Sequence, residues 1–250
     1  MGFLQEKYTR EYFTGLTPDG DHAGYGALGA DEWRAGSIFC EIKEPIDLVD
    51  LRGGRVLEIG HGRGESARYM FKEKGIIEYL GVDFSEAAHQ LACETLAGIP
   101  KDSWQLKVAD VLEFMQAANF ESCFDAVFML DTIEHIPRAE VVKLLPLILR
   151  SLKTGGYLIV DTPFYGVDED YIEQGYRFVA PSASDLHPAT KGMHCNKFTR
   201  ERILCEIGSV GFRILGDKKF QKPRLPSFQK ATHWLRRCAK QTVNKLRKCN

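Results

Sequence analysis

The chain of 250 residues has no C-x-x-C pair, no G-x-x-x-x-G-K-[ST] loop and no internal repeat. Nor does any apolar run approach the roughly 18 residues of a membrane span. Each absence removes a class. Seven cysteines, Cys40, Cys93, Cys123, Cys195, Cys205, Cys238 and Cys249, are odd in number and lack the paired spacing of a disulfide framework or zinc knuckle. Free thiols of this kind suit a reducing compartment. Residues 1–13, MGFLQEKYTREYF, are charged and contain no apolar signal-peptide core, so the expected location is cytoplasmic. Without the G-K-[ST] loop there is no expectation of a phosphate-cradling NTPase. The net charge of −1 gives no bulk attraction to nucleic acid.

Charge of one sign is also missing locally. From Lys218 to Asn250 there are eleven Lys or Arg and no Asp or Glu. Against the total of −1, about −12 is left on the preceding residues. Within this tail Trp234, Leu235, Cys238, Val243 and Leu246 recur at roughly helical spacing, so residues 221–250 are expected to form a basic helical tail. A solvated helix, an anionic lipid or lipid-linked substrate, and RNA phosphate all fit such a tail. Trp234 on the apolar side favours a membrane surface, with the protein peripheral to it, over nucleic acid.

The regular part starts at Arg55, where short apolar runs alternate with longer amphipathic ones. Strands are expected at Arg55–Ile59, Glu78–Val82, Gln105–Val108, Ala126–Leu130 and Tyr157–Val160. Helices are expected at Glu65–Lys74, Ser85–Leu96, Val111–Ala118 and Arg138–Leu152. Strands alternating with helices predict an α/β fold, a Rossmann-like, doubly wound, mostly parallel sheet with helices on both faces. Thr199–Ser209 reads as a further helix capped by Thr199, and Phe212–Phe220 as a strand or hairpin. No clear seventh strand is visible. Residues 1–50 form a helical cap, 51–220 the core with a substrate loop at 163–198, and 221–250 the tail.

The chemistry-bearing motifs lie at strand ends. The first strand runs into Glu58-Ile59-Gly60-His61-Gly62-Arg63-Gly64, whose alternate glycines let the chain turn sharply and come close to a ligand. The turn opens onto a helix N-terminus, where free N–H groups favour a nucleotide-type ligand. A tight turn without a ligand accounts for the same residues. Asp83 ends the second strand, where a carboxylate can accept both ribose hydroxyls or cap the next helix. Asp110-Val111 follows the third strand and can hold an amino group and a ring face, or again a cap. Leu130-Asp131-Thr132-Ile133-Glu134-His135-Ile136 ends the fourth, and Lys153-Thr154-Gly155-Gly156, a turn, precedes the fifth.

These five pieces, in this order, resemble the class I methyltransferases that use S-adenosylmethionine (SAM), over roughly residues 51–220. The nicotinamide fingerprint G-x-G-x-x-G fails, because residue 65 is Glu. The resemblance implies SAM as cofactor, with Gly60, Gly62 and Gly64 facing its methionine part. Glu58 would orient that loop or meet the amino group through water. Asp83 would hold the ribose, Phe84 would pack on the adenine, and Asp110 and Val111 would fix its edge. Leu130 and Asp131 would flank the methionine. His61 departs from the small residue often found there. The strand-four segment looks like the small-molecule O- and N-methyltransferases. This implies an oxygen of a small metabolite, natural product or glycan as acceptor, with a small amine as the alternative, and an RNA methyltransferase or a non-catalytic SAM-binding module as further ones.

A hydroxyl nucleophile needs a base, and histidine is the natural one near neutral pH. His135 lies just past strand four and His194 in the long loop, and these two are the expected bases, ahead of His187. Asp131, Glu134 and His135, at i, i+3 and i+4, would also suit a divalent cation. An Asp131–Glu134 capping box explains the same spacing, and no metal is expected. Aromatics gather on both sides of the core: Tyr8, Tyr12, Phe13, Tyr25 and Trp33 before it, Phe164, Tyr165, Tyr171, Tyr176 and Phe178 after it. In the family both regions cover the site, and Tyr12 would reach the SAM carboxylate.

Overall fold

In the computed structural model, residues 8–15, 29–163, 169–170, 196–220 and 241–248 are described. Among the described residues three short helices precede the core: α1 (Arg10–Thr14), α2 (Ala30–Arg34) and α3 (Cys40–Asp47). The Thr9 hydroxyl caps α1 by accepting from Tyr12 N, and Gly15, at φ 70°, ends it. The core then runs β1 (Arg55–Ile59), α4 (Glu65–Tyr69, continued by a π-turn over Met70–Lys74), β2 (Glu78–Asp83), α5 (Glu86–Thr95), β3 (Trp104–Val108), α6 (Val111–Ala118), β4 (Phe124–Leu130), α7 (Arg138–Ser151) and β5 (Leu152–Pro163). Two-residue strands β6 (Glu169–Asp170) and β7 (Asn196–Lys197) pair with each other. Next come α8 (Arg200–Ser209), β8 (Phe212–Phe220) and β9 (Gln241–Lys248).

The main sheet has seven strands in the order β3-β2-β1-β4-β5-β9-β8. Strands β1 to β5 are mutually parallel, and β9 is antiparallel to both neighbours. The order reverses direction between β1 and β4. In an open α/β sheet that reversal leaves a crevice at the carboxyl ends of the strands.

Alternation along the central strands gives each face its own core. Leu57, Ile59, Val127 and Met129 point to the face covered by α6, α7 and α8, together with Leu144, Ile148, Ile203 and Ile207. Val56, Ala126, Phe128 and Leu130 point to the other face, with Ile46 of α3, Ala67 of α4 and Ala92 of α5. Fully burying a Leu, Ile or Phe side chain stabilises by about 1.5–3 kcal/mol, so these two layers hold the sheet between its helices.

Two expectations are corrected. The tail is not helical throughout: Gln241–Lys248 is a strand seated between β5 and β8. Its backbone forms ladders on both sides, from Tyr157↔Arg247 to Pro163↔Gln241 and from Phe212↔Lys248 to Phe220↔Gln241. Backbone groups on both edges must be satisfied, and this outweighs a weak helical period in the side chains. It is also the seventh strand that the sequence did not display. Second, the expected turn at Lys153–Gly156 interrupts a strand that starts earlier, at Leu152, which the sequence had placed at the end of α7. The register of β5 against β4 jumps between Phe124↔Leu152 and Ala126↔Tyr157, and Gly155, at φ 78°, takes up the bulge. Tail residues 221–240 lie outside the described residues.

Candidate active site

The crevice at the strand ends holds a cleft, open to solvent, beneath the N-terminal cap. Its floor is the glycine turn. Gly60 N donates to Val82 O at 2.7 Å, tying the turn to β2. Gly60 sits at φ 78°, and a Cβ there would come within van der Waals overlap of Thr132, so only glycine allows the two loops to pass. Gly64, at φ 77°, is different. A Cβ there would meet Ala92 of α5 at 3.0 Å, so its smallness serves helix packing.

Asp83 organises the second wall. Oδ2 accepts from Gly62 N at 3.0 Å and Oδ1 from Ser85 N at 2.9 Å. One carboxylate thus fixes both the turn and the start of α5. A carboxylate offers about four acceptor positions, so two remain for hydroxyl groups. Ser85, not Asp83, caps α5, accepting from Ala88 N at 3.2 Å. Phe84, Ala109 and Val111 line the neighbouring apolar part of the cleft.

Glu58 faces the cleft from the end of β1. Its Oε2 accepts from the Tyr79 hydroxyl at 2.5 Å and from Ser66 at 2.7 Å. Burial pushes its carboxyl up to about 8, the two hydroxyl hydrogen bonds opposing that rise. His61 is buried, and burial lowers its imidazole below the ordinary value. As a neutral ring it donates from Nδ1 to Gly62 O at 3.0 Å, since a carbonyl can only accept.

The far wall comes from the end of β4. Asp131 is a non-glycine residue at φ 47°, a left-handed conformation, and its N–H donates to Asp161 O at 2.9 Å. The chain then makes one 3-10 turn, Ile133–His135. The expected capping box is absent: Thr132 occupies the cap position without a side-chain cap bond, and Glu134 turns inward to accept from Thr162 Oγ1 at 2.9 Å. Burial, then the charge of Asp131, raise the Glu134 carboxyl well above its usual range. The sequence pattern [ST]-x-x-E, or its Asp analogue, presupposes a cap residue in extended backbone, and Asp131 is not extended.

The same turn aims His135 at the cap. Its Nδ1 lies 2.7 Å from the Tyr8 hydroxyl, and the two share a hydrogen bond whose direction follows the imidazole tautomer. Tyr8 is held in turn by Ser85 Oγ, which donates to the Tyr8 carbonyl at 2.8 Å, and by edge-on contacts with Tyr12 and Phe84.

Of the expected cofactor residues, the cleft is lined by Glu58, Gly60, Gly62, Asp83, Phe84, Val111, Leu130, Asp131 and Tyr12. Gly64 and Asp110 are not part of that wall; Asp110 Oδ1 caps α6, accepting from Leu112 N and Glu113 N. His135 lines it, whereas His194 and His187 lie outside the described residues, as do Phe164, Tyr165, Tyr171, Tyr176, Phe178 and Tyr25. Sequence reasoning missed the pairing of Tyr8 with His135, 127 positions apart, and the cleft positions of Ser66 and Thr132. The clustering of tyrosines before the core was the one available signal. Among the described residues no group of His, Cys, Asp and Glu is arranged to hold a metal ion, and no helix is long and apolar enough to cross a membrane.

These features fit SAM on the chain's own geometry. The tight glycine turn at the cleft floor, the Asp83 carboxylate with acceptor positions to spare and the apolar slot beside Phe84 suit its methionine, ribose and adenine parts respectively. Comparison with known proteins agrees. The chain is 33% identical over 168 residues to phosphoethanolamine N-methyltransferase 2 of Caenorhabditis elegans, covering 63% of this chain but only 36% of that protein, so it spans about a third of the relative's length. In fold it is similar to the 1,6-didemethyltoxoflavin-N1-methyltransferase of Burkholderia thailandensis, solved with S-adenosylhomocysteine, at TM-score 0.64 and 17% identity over 89% of this chain and 83% of that one. It is also similar to a SAM-dependent methyltransferase of Mesorhizobium loti, at TM-score 0.59 and 18% identity over 88% and 99% of the two chains. The family model for the methyltransferase domain matches residues 33–215, and the chain belongs to that family, the class I methyltransferases that use SAM.

Proposed function

We propose that this methyltransferase acts on an oxygen of a small metabolite, natural product or glycan, with the Tyr8–His135 pair removing the proton of the attacking hydroxyl. The observation that carries this reading is the 2.7 Å contact between the Tyr8 hydroxyl and His135 Nδ1 at the cleft wall. SAM, when bound, supplies an electrophilic methyl on a sulfonium. What is left to the protein is alignment, exclusion of water and disposal of one proton. Alignment alone can supply up to about 7–11 kcal/mol of barrier reduction. Proton removal by a placed side chain adds roughly 10²–10⁴-fold.

The residues divide that work. Gly60, Gly62, Asp83 and the Phe84–Val111 slot hold the cofactor. Asp131 and Leu130 shape the wall beside its methionine part. The aromatic rings of Tyr8, Tyr12, Phe13 and Phe84 keep water from the reacting end. The eleven basic residues from Lys218 to Asn250 support an acceptor that is anionic or lipid-linked.

A second reading is methylation of a small amine. It is favoured by the relative whose name records N-methylation of phosphoethanolamine. The two readings separate on one experiment: methyl transfer from labelled SAM into extract fractions, by wild type and by Tyr8→Phe and His135→Ala. Label on an oxygen of the product, lost in both variants, supports the first. Label on nitrogen that survives both substitutions supports the second, because a neutral amine attacks without a base.

A further inference from the structure

We propose that Arg63 is a positioning residue that locks the N-terminal cap, and with it Tyr8, onto the cofactor turn. The proposal rests on the reading of the cleft as a SAM site closed by that cap. Arg63 stands between Gly62 and Gly64, in the turn itself, and its side chain is 0% exposed. Taking a guanidinium out of water costs several kcal/mol, so its partners must answer for it.

One of those partners, Glu65, makes an ion pair with a fork-like match. Nη2 donates to Glu65 Oε1 at 2.6 Å, and Nε to Glu65 Oε2 at 3.2 Å. That pair fixes the guanidinium within the turn and leaves Nη1 directed elsewhere. Nη1 donates to the carbonyl of Phe13 at 3.0 Å, in the last turn of α1. Carbonyls there have no partner within the helix. The guanidinium carbon also lies 5.5 Å from the centre of the Trp33 ring in α2. One side chain rooted in the cofactor turn therefore touches both α1 and α2.

The consequence follows from what α1 carries. Tyr8 lies two residues before it and reaches His135 across the cleft. Phe13 packs with Tyr8, Ala88 and Leu91 in a cluster of their own, separate from the two layers of the main core. Arg63 makes the shape of the turn and the seating of Tyr8 a single structural state, so ordering the turn with cofactor orders the cap as well.

Hydrogen exchange of the segment 9–15 amides, with and without S-adenosylhomocysteine, tests this on the full chain. In the wild type the ligand slows exchange of this segment. In Arg63→Met/Glu65→Gln, which removes both buried charges together, S-adenosylhomocysteine still binds within about threefold of wild type by calorimetry, and the added protection of 9–15 is lost. Arg63→Lys keeps the charge but not the fork, and restores part of the protection. It also keeps the test open should the double variant not fold. Equal ligand-induced protection in wild type and variants overturns the proposal. So does protection lowered equally with and without ligand, which is the mark of a merely structural ion pair. Loss of S-adenosylhomocysteine binding in the variants would assign Arg63 to the turn alone. A wild type that binds the ligand without protecting 9–15 sinks the role of Arg63 but spares the cofactor site, whereas a wild type that binds none sinks both.

Discussion

The Tyr79 hydroxyl donates to Glu58 Oε2 at 2.5 Å, joining the start of β2 to the acid near the end of β1. Both residues are buried, and they meet diagonally across the β1–β2 ladder, where Tyr79 pairs with Val56 and Glu58 with Gly81; Glu58 also lines the cleft. Burial nevertheless wins over this bond, and the Glu58 carboxyl rises from 4.5 to about 8. A carboxyl raised in the folded state binds more protons there than in the unfolded chain between those two values. Its contribution to stability is thus fully present below about 4.5 and is lost as pH rises through about 8. The cofactor-free protein should lose denaturant stability over that window by at most roughly 1.4 kcal/mol per pH unit. Glu58→Gln should flatten the slope, and Tyr79→Phe, which removes a bond that holds the carboxyl down, should carry the loss to higher pH. An unchanged profile in Glu58→Gln would show that this carboxyl does not titrate there.

Cofactor binding should move the same proton. An ammonium arriving beside Glu58 favours its charged form, so binding of S-adenosylhomocysteine near pH 7 should release a proton. Calorimetry in buffers of different ionisation enthalpy measures the release directly. Binding enthalpies that do not vary with buffer would place the amino group away from Glu58.

Asp83 ties Gly62 N to Ser85 N and lines the cleft, where it is proposed to hold the ribose. Asp83→Ala removes a charged acceptor from two backbone donors and two hydroxyls. Leaving buried donors unsatisfied costs about 1–3 kcal/mol. S-adenosylhomocysteine affinity should fall at least roughly tenfold, with a smaller loss for Asp83→Asn. Affinity within twofold of wild type would remove Asp83 from the cofactor site.

Gly60→Ala brings a methyl group into Thr132 at a positive φ. Both the strain and the overlap oppose it, at a cost of about 1–3 kcal/mol each. Thr132→Ser should relieve part of the overlap, so the pair Gly60→Ala/Thr132→Ser should bind cofactor better than Gly60→Ala alone. Additive losses would mean the two loops do not meet.

Removing Gln241–Asn250 takes β9 from between β5 and β8. Two ladders open at once, and β5 loses its pairing from Tyr157 to Pro163. The truncated chain should unfold at markedly lower denaturant or aggregate through its exposed edges. A truncated chain as stable as the full one would show that the sheet closes without this strand.

How much of this was legible beforehand depends on the range of the interaction. The parallel core was readable because its signals are local. Apolar runs such as Phe128–Leu130 and the amphipathic α7 carry their own period, and glycines at 60, 62 and 64 announce a turn wherever they fall. Family order supplied the acid at Asp83 and the segment around His135. Short range also explains the errors. Asp131 and Glu134 had capping-box spacing, but spacing cannot report that Asp131 turns left-handed and sends Glu134 to Thr162.

By itself, then, the sequence determined the sheet's parallel half, the glycine turn and the carboxylate that meets it, because propensity, periodicity and steric freedom act within a few residues. Only the tertiary structure decided that Gln241–Lys248 is a strand, that Tyr8 meets His135, and that Arg63 reaches Phe13. Each joins segments far apart in the chain. There the free energy comes from unsatisfied backbone edges, buried charge and shared cavities, none of which exists until the chain has folded.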